Sequence, residues 1–304
     1  MPKVSILMNC YNGSQFLREA LDSIYAQTYS DWEIIFVDNC STDESANIAK
    51  SYGKRVKYHK TDSNISLGAA RNFGVQFCSD YIAILDVDDI WMPNALQVLY
   101  DSITSGNFAL SYGNQYLIDK SGRSIGKIKN LYLNEKGNFF PKLLMQFDIP
   151  LVASMINKKK MLDLGLNFDE NIFGSEEYCL FVQMAIYSEF IAIPDFIVKY
   201  RVHNSLTSSL DDKVYKERFY TLDMIKEKNP GLDKEYPNEF NKAYARGAYY
   251  KAQHLMSQNK QLQAFKTLKE YMFVDKRYFA LTFMTLFPKY IWNYVQNTKY
   301  KRRA

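Results

Sequence analysis

The chain has 304 residues, room for one large domain or two smaller ones. Apolar residues make up 47% of it, so a full core can form, and a net charge of +5 without an arginine-rich arm or basic stripe argues against a nucleic-acid binder. The four cysteines, Cys10, Cys40, Cys78 and Cys179, show neither a CxxC pair nor metal-ligand spacing, and read as free buried thiols in a reducing cytosol.

The first third alternates strand and helix signals. Residues 3–9 (KVSILMN) form a short apolar run with no secretory pattern before it. Residues 13–27 then place Phe16, Leu17, Ala20, Leu21 and Ile24 on one helical face. Residues 32–38 (WEIIFVD) read as the second strand. Ser41 with Glu44 three positions on predicts a capping box at the start of a second helix. A third strand is expected at 55–60, a third helix at 66–78, and a fourth strand at 81–85. Pro93 suits the first turn of a helix running to about Thr104. Residues 107–119 read as a strand followed by a turn at Ser121 and Gly122. From about residue 211 the pattern turns helical, amphipathic and lysine-rich. Residues 241–273 read as two helices joined near Gln258 and Asn259, similar to one tetratricopeptide-type hairpin, and a single unit cannot form a solenoid.

Alternating β and α units of this length predict an α/β fold, a mostly parallel sheet flanked by helices, with a C-terminal α-helical region. In such sheets ligands sit beyond the carboxyl ends of the strands. Those ends carry Asn9-Cys10-Tyr11-Asn12, Asp38-Asn39 and Asp86-Val87-Asp88-Asp89, all able to form hydrogen bonds, which points to one shared site. Three carboxylates within four residues repel one another and need compensation. One reading is a solvated turn. The other is a site for Mg²⁺ or Mn²⁺, ions that take one or two protein carboxylates and complete their shell with substrate phosphates.

The segments VSILMNCYN, SIYAQTYSDWEIIFVDNCSTDES, GAARNFGV and YIAILDVDDIWMP, followed by LGLNFDENIFGSEEYCLFVQMA and YRVHNSLTSS, together resemble the inverting family-2 glycosyltransferases of the GT-A fold. The resemblance runs in order and thins after about residue 210. It implies a catalytic domain over residues 1–210, with a nucleotide-sugar-binding half at 1–105 and an acceptor-binding half at 106–210, and a helical region over 211–304. Asp86-Val87-Asp88 matches the family's DxD element. By that match Asp88 ligates the metal directly, Asp86 acts through water or on the ribose, and Asp89 orients the loop or touches the acceptor. Tyr11 would stack on a pyrimidine and Asp38 would accept hydrogen bonds from the nucleoside. Asn39 stands where the family often has a second Asp, and Asn9 where Thr or Pro is frequent; the base is therefore expected, not required, to be uracil. Arg71 would face the diphosphate and Gly68 would allow close backbone approach.

The resemblance also implies a general base in the Glu176-Glu177 pair, where the family carries Glu-Asp; Glu177 matches the base and Glu176 is the second choice. His203 matches a position that supplies a third metal ligand in some members, and is otherwise a structural histidine. Arg201 would contact phosphate. The function implied is metal-dependent (Mn²⁺ or Mg²⁺) transfer of a sugar from a nucleoside-diphosphate sugar, UDP-sugar first, to a saccharide or lipid-linked saccharide of a bacterial surface polysaccharide or glycolipid. Two alternatives stand beside it. A sugar nucleotidyltransferase usually opens with a glycine-rich loop, whereas NCYNGSQF has one Gly. A non-catalytic nucleotide-sugar-binding module would lack a working base.

No apolar stretch approaches the ~18 residues of a spanning helix, so a cytoplasmic protein is expected. The C-terminal segment is aromatic and basic, with Lys299, Lys301, Arg302 and Arg303 at its end. It reads either as an interfacial helix on the inner face of an anionic membrane or as a packed helix with a basic tail.

Overall fold

A computed structural model describes residues 3–203 and 212–294. The chain divides into two compact units, Met1–Phe140 with Asp148–His203, and Pro141–Phe147 with Asn204–Ala304. The boundary expected near residue 210 lies outside the described residues, as do Lys299, Lys301, Arg302 and Arg303.

The first half of the chain supplies β1 (Val4–Cys10), α1 (Ser14–Tyr25), β2 (Trp32–Asp38), α2 (Ser45–Ser51), β3 (Val56–Lys60), α3 (Leu67–Val75), β4 (Tyr81–Ile84), β5 (Ile90–Trp91), α4 (Ala95–Thr104), β6 (Phe108–Ile118), β7 (Ser124–Ile128), β8 (Lys136–Gly137) and α5 (Phe140–Met145). After these come β9 (Ser154–Asn157), α6 (Lys158–Asp163), α7 (Glu176–Tyr187) and β10 (Glu189–Arg201). Strands pair in the order β3-β2-β1-β4-β9-β6-β10-β5. The first four are parallel, β9 is antiparallel to both its neighbours, and β6 and β10 are parallel again.

Helices cover both faces, so β1 and β2 read as nearly unbroken apolar runs. Val4, Ile6, Met8 and Cys10 of β1 pack with Leu17, Ala20, Leu21 and Ile24 of α1. Leu7 points the other way, toward Gly74 of α3, where a side chain would collide with it. That contact draws α3 onto the sheet and brings its first turn beside the strand ends. Ile90 and Trp91 are not merely apolar flanks of the acids. They form β5, antiparallel to β10, and the Trp91 indole N–H donates to the Val152 carbonyl at 2.7 Å. The acidic loop is thus tethered by strands at both ends.

The expected capping box is absent. The Ser41 hydroxyl instead accepts from the Asn12 N–H at 3.0 Å, and Glu44 itself is the N-cap of α2, without a side-chain cap bond. Asp43 takes over, accepting from the N–H groups of Ser14 at 2.9 Å and Ser45 at 3.0 Å, at the starts of α1 and α2. Burial would raise its carboxyl; the hydrogen bonds from Ser45 and Ser14 outweigh it and lower it to about 2.

The second unit contains α8 (Lys213–Lys228), α9 (Leu232–Glu235), α10 (Pro237–Ser257), α11 (Gln261–Lys269) and α12 (Lys276–Met284). Asn259, at φ 57°, ends α10 with bonds from its own N–H to the Met256 carbonyl and from the Lys260 N–H to the Leu255 carbonyl. This is the left-handed helix stop that asparagine tolerates, and it explains the break read near Gln258. Ala245, Ala248, Ala252 and Met256 pack there with Ala264, Leu268, Leu281 and Trp292.

Candidate active site

The three acids of the loop after β4 have three different partners. Asp88 Oδ2 meets His203 Nε2 at 2.7 Å, with both side chains partly exposed. Asp86 Oδ1 lies 3.6 Å from Arg71 Nη2. Asp89 is buried, and its Oδ1 accepts from the Arg201 backbone N–H at 2.7 Å. Local compensation of this kind lets a strand end hold three carboxylates. Burial raises the Asp86 carboxyl to about 6; Arg71 opposes the shift, and Asp88 and Glu176 add to it. Burial, with Asp86 and Asp88 nearby, holds Asp89 well above the usual carboxylate range.

Arg201 lies behind this loop. Its Nε donates to the Asp88 carbonyl at 2.8 Å, and Nη1 to the carbonyls of Asp119 and Lys120 at 3.4 and 3.2 Å. Nη2 pairs with the Glu19 carboxylate, and the guanidinium stacks over Phe16 at 4.4 Å. Buried and engaged in this way, Arg201 is a brace for the loop; the phosphate contact expected of it is not what its geometry offers. Val87 completes the loop by packing on Gly13, where a Cβ would come within 2.6 Å of its methyl.

α3 and α7 meet beside the acids. Arg71 is buried and forms an ion pair with buried Glu176, the first residue of α7. Asn72 holds the facing segment as a strand would, donating to the Phe168 carbonyl at 2.8 Å and accepting from the Phe168 N–H at 3.0 Å. Gly68 does allow a close backbone approach, but by the protein itself: a Cβ there would lie 2.6 Å from the Asp169 carbonyl oxygen. Glu177 is half-buried, and burial with the Glu176 charge raises its carboxyl, against the pull of Arg71. It stands next to Glu176 in the first turn of α7, the helix end that Arg71 ties to Asp86 of the acidic loop. Of the pair, Glu176 is committed to Arg71 and Glu177 is the freer group.

At the ends of β1 and β2, Tyr11 is 49% exposed, so its ring is open to a stacking partner. Asp38 is fully buried; its Oδ1 accepts from the Ser41 N–H at 2.7 Å and its Oδ2 from the Tyr58 hydroxyl at 2.5 Å. Asn39 donates to the Ile65 carbonyl at 2.8 Å and accepts from the Ile65 N–H at 3.0 Å and the Thr61 hydroxyl at 3.1 Å. As the structure stands, the polar atoms of both residues serve the fold. The Asn39 bonds account for the departure from Asp, because a carboxylate cannot donate to a carbonyl. Asn39→Asp is expected to lose about 1–3 kcal/mol of stability, the cost of a buried acceptor left without its donor; an unchanged urea midpoint would refute this role. Both side-chain atoms of Asn9, by contrast, are buried without a hydrogen-bond partner at the end of β1.

Among the described residues no group of three His, Cys, Asp or Glu is arranged to hold a metal. Asp86 turns toward Arg71, leaving Asp88 and His203 as a convergent pair. A carboxylate oxygen with one imidazole nitrogen suits Mn²⁺ better than Mg²⁺, with a diphosphate completing the shell. Sequence reading missed Glu19, Asn72 and Tyr200. Tyr200, 41% exposed, precedes Arg201 at the end of β10 and pairs with Leu117 of β6; partial burial, with the acids of the loop adding to it, raises its hydroxyl above the usual range. None of the three carries a motif; only long-range pairing brings them to the site.

A family described as Glycosyl transferase family 2 matches residues 5–162. An uncharacterized glycosyltransferase of Methanocaldococcus jannaschii is 32% identical over 73% of this chain and 78% of its own length. The Escherichia coli UDP-Glc:alpha-D-GlcNAc-diphosphoundecaprenol beta-1,3-glucosyltransferase WfgD is 26% identical over 72% of this chain and 85% of its own. The chain spans 39% of the length of a Rickettsia felis glycosyltransferase to which it is 26% identical. Among solved structures, Staphylococcus aureus TarS 1-349 in complex with UDP-GlcNAc superposes with a TM-score of 0.71 at 16% identity, covering 92% of this chain and 83% of that one. Mannosyltransferase PcManGT from Pyrobaculum calidifontis, in complex with GDP-Man and Mn2+, superposes with a TM-score of 0.63 at 15% identity, covering 94% and 84%. These likenesses identify the GT-A fold.

Proposed function

The chain belongs to glycosyl transferase family 2, and from that membership we propose that it transfers a sugar, with inversion, from a nucleoside-diphosphate sugar to a lipid-linked saccharide during bacterial surface-polysaccharide or glycolipid synthesis. A UDP-sugar is the favoured donor, and an acceptor on a lipid carrier implies work at a membrane surface. The single observation that carries the reading is the convergence at the strand ends of the Asp88–His203 pair and of Asp86 with Arg71, which also pairs with Glu176 beside Glu177 at the start of α7. The names of WfgD and TarS support the choice of donor and acceptor class.

In this reading Tyr11 stacks on the base, the orphaned Asn9 amide gains a partner from the donor, and Asp38 and Asn39 shape the wall of the nucleoside pocket. Asp88 and His203 would hold the ion and Asp86 would stand beside it. A divalent ion there supplies Lewis-acid stabilisation of the diphosphate as it leaves. Arg71, already beside Asp86, adds fixed positive charge where negative charge develops. The acceptor oxygen attacks the anomeric carbon, forming the new C–O bond while the sugar–phosphate C–O bond breaks with its electron pair going to the diphosphate. Glu177 takes the hydroxyl proton.

The test is a thermal-shift panel of UDP, GDP, CDP and dTDP sugars with and without Mn²⁺. One nucleotide is expected to stabilise the protein further when Mn²⁺ is present, and Asp88→Ala is expected to abolish that increment. Mn²⁺-dependent affinity left intact by Asp88→Ala would refute the ligand assignment, and binding of the sugar nucleotide without turnover would favour a binding module.

A further inference from the structure

No helix among the described residues is long and apolar enough to cross a membrane. The second unit nevertheless carries an exposed, largely aromatic ridge. Phe279 and Phe283 lie one turn apart on α12, and after that helix ends at Met284 the chain exposes Leu286, Phe287, Tyr290 and Tyr294 as well. Phe273, 85% exposed, continues the ridge, its ring 6.5 Å from Phe279, and Phe279 lies 5.1 Å from Phe283. Tyr290 and Tyr294 are each 72% exposed. The apolar side of the same helices is filled, because Tyr278, Leu281 and Trp292 are buried with α10 and α11. The ridge is therefore a second apolar face, of a kind soluble surfaces rarely present unless something covers it.

Charge selects the cover. Lys266, Lys269, Lys276 and Arg277 are exposed on or beside these helices, against exposed Glu270 and Asp275. Asp275 is already occupied: its Oδ1 caps α12 at the Arg277 N–H, 2.8 Å away, and its Oδ2 lies 3.9 Å from Arg277 Nη2. A second copy pairing through the same patch would oppose like charges across a two-fold axis. An anionic lipid surface offers both missing partners, head-group phosphates for the bases and an acyl boundary for the rings. The sequence beyond residue 294 adds Lys299, Lys301, Arg302 and Arg303 to the same balance.

We infer that α12 and residues 285–294 form an interfacial docking face for an anionic membrane. The inference rests on the lipid-linked acceptor reading for its purpose, though not for its observations. The experiment is co-sedimentation of the full chain with vesicles of phosphatidylcholine alone or mixed with phosphatidylglycerol, at low and high salt. The wild-type chain is expected to pellet with the mixed vesicles and to release as salt rises. Phe283→Ser with Phe287→Ser is expected to weaken binding roughly tenfold or more, and Lys276→Glu with Arg277→Glu about fivefold per residue. Unaltered circular dichroism and melting of these variants show that the face, and not the fold, is lost.

Failure to pellet, equal pelleting with neutral vesicles, or a dimer in solution that Phe283→Ser dissociates would each overturn the inference. Asp88→Ala keeps vesicle binding if the docking face is real. A result in which vesicle binding survives but no sugar nucleotide binds overturns the transferase reading alone.

Discussion

Glu177→Gln is expected to bind donor as the wild type does and to transfer sugar about 10²–10⁴-fold more slowly, the range a positioned general base contributes. The substitution keeps the shape of the side chain and removes the ability to take a proton. Glu176→Gln does something different, because Glu176 is buried against Arg71 and its loss disturbs the ion pair instead of the proton acceptor. The pH profile separates the two. A base must be deprotonated to act, and the Glu177 carboxyl is raised by burial and by Glu176. In the free enzyme, activity should therefore fall as pH drops, on a limb lying above the ordinary carboxylate range. Glu177→Gln removes that limb along with the rate. Full activity in Glu177→Gln would move the proton acceptor elsewhere.

Arg71→Met is the second large effect, and it is read first in stability. The Arg71 and Glu176 side chains are only 3% and 2% exposed, so removing the guanidinium leaves a carboxylate deep in the protein without its partner. Breaking a buried pair in this way costs about 3–5 kcal/mol, more than the pair itself contributes over an apolar replacement. Arg71→Met combined with Glu176→Met should recover most of the loss, since no unpaired charge remains. Urea unfolding of the two single variants and the double variant measures this coupling. Near-additive losses would mean that the pair does not hold α3 and α7 together. Because Arg71 also faces Asp86, the stabilised double variant should still fail to transfer sugar.

Local signals survived well. The apolar runs of β1, β2 and β4, the amphipathic face of α1 and the helical hairpin broken at Asn259 all follow from short-range chemistry, side-chain periodicity and a left-handed helix stop, whereas Pro93, read as the first turn of a helix, lies before the Asn94 cap of α4. Signals that needed a distant partner did not survive. Ser41 and Glu44 have the spacing of a capping box, yet Ser41 bonds with Asn12 and Asp43 bonds at the starts of two helices, because α1 and α2 begin side by side. Gly68 reads as room for a ligand, and the space belongs to the Asp169 carbonyl.

By itself the sequence determined the α/β alternation, the gathering of polar residues at three strand ends, the three acids after β4 and the family to which the chain belongs. The tertiary structure decided what each acid faces: His203 for Asp88, Arg71 for Asp86 and the Arg201 backbone for Asp89. It also decided that Arg201 braces the loop and that Glu176, not Glu177, pairs with Arg71. The reason is one of range. Periodicity and capping act over a few residues and leave a mark on neighbouring positions. An ion pair between residues 71 and 176, or a hydrogen bond between 89 and 201, forms only after the sheet has closed and leaves no local pattern to read.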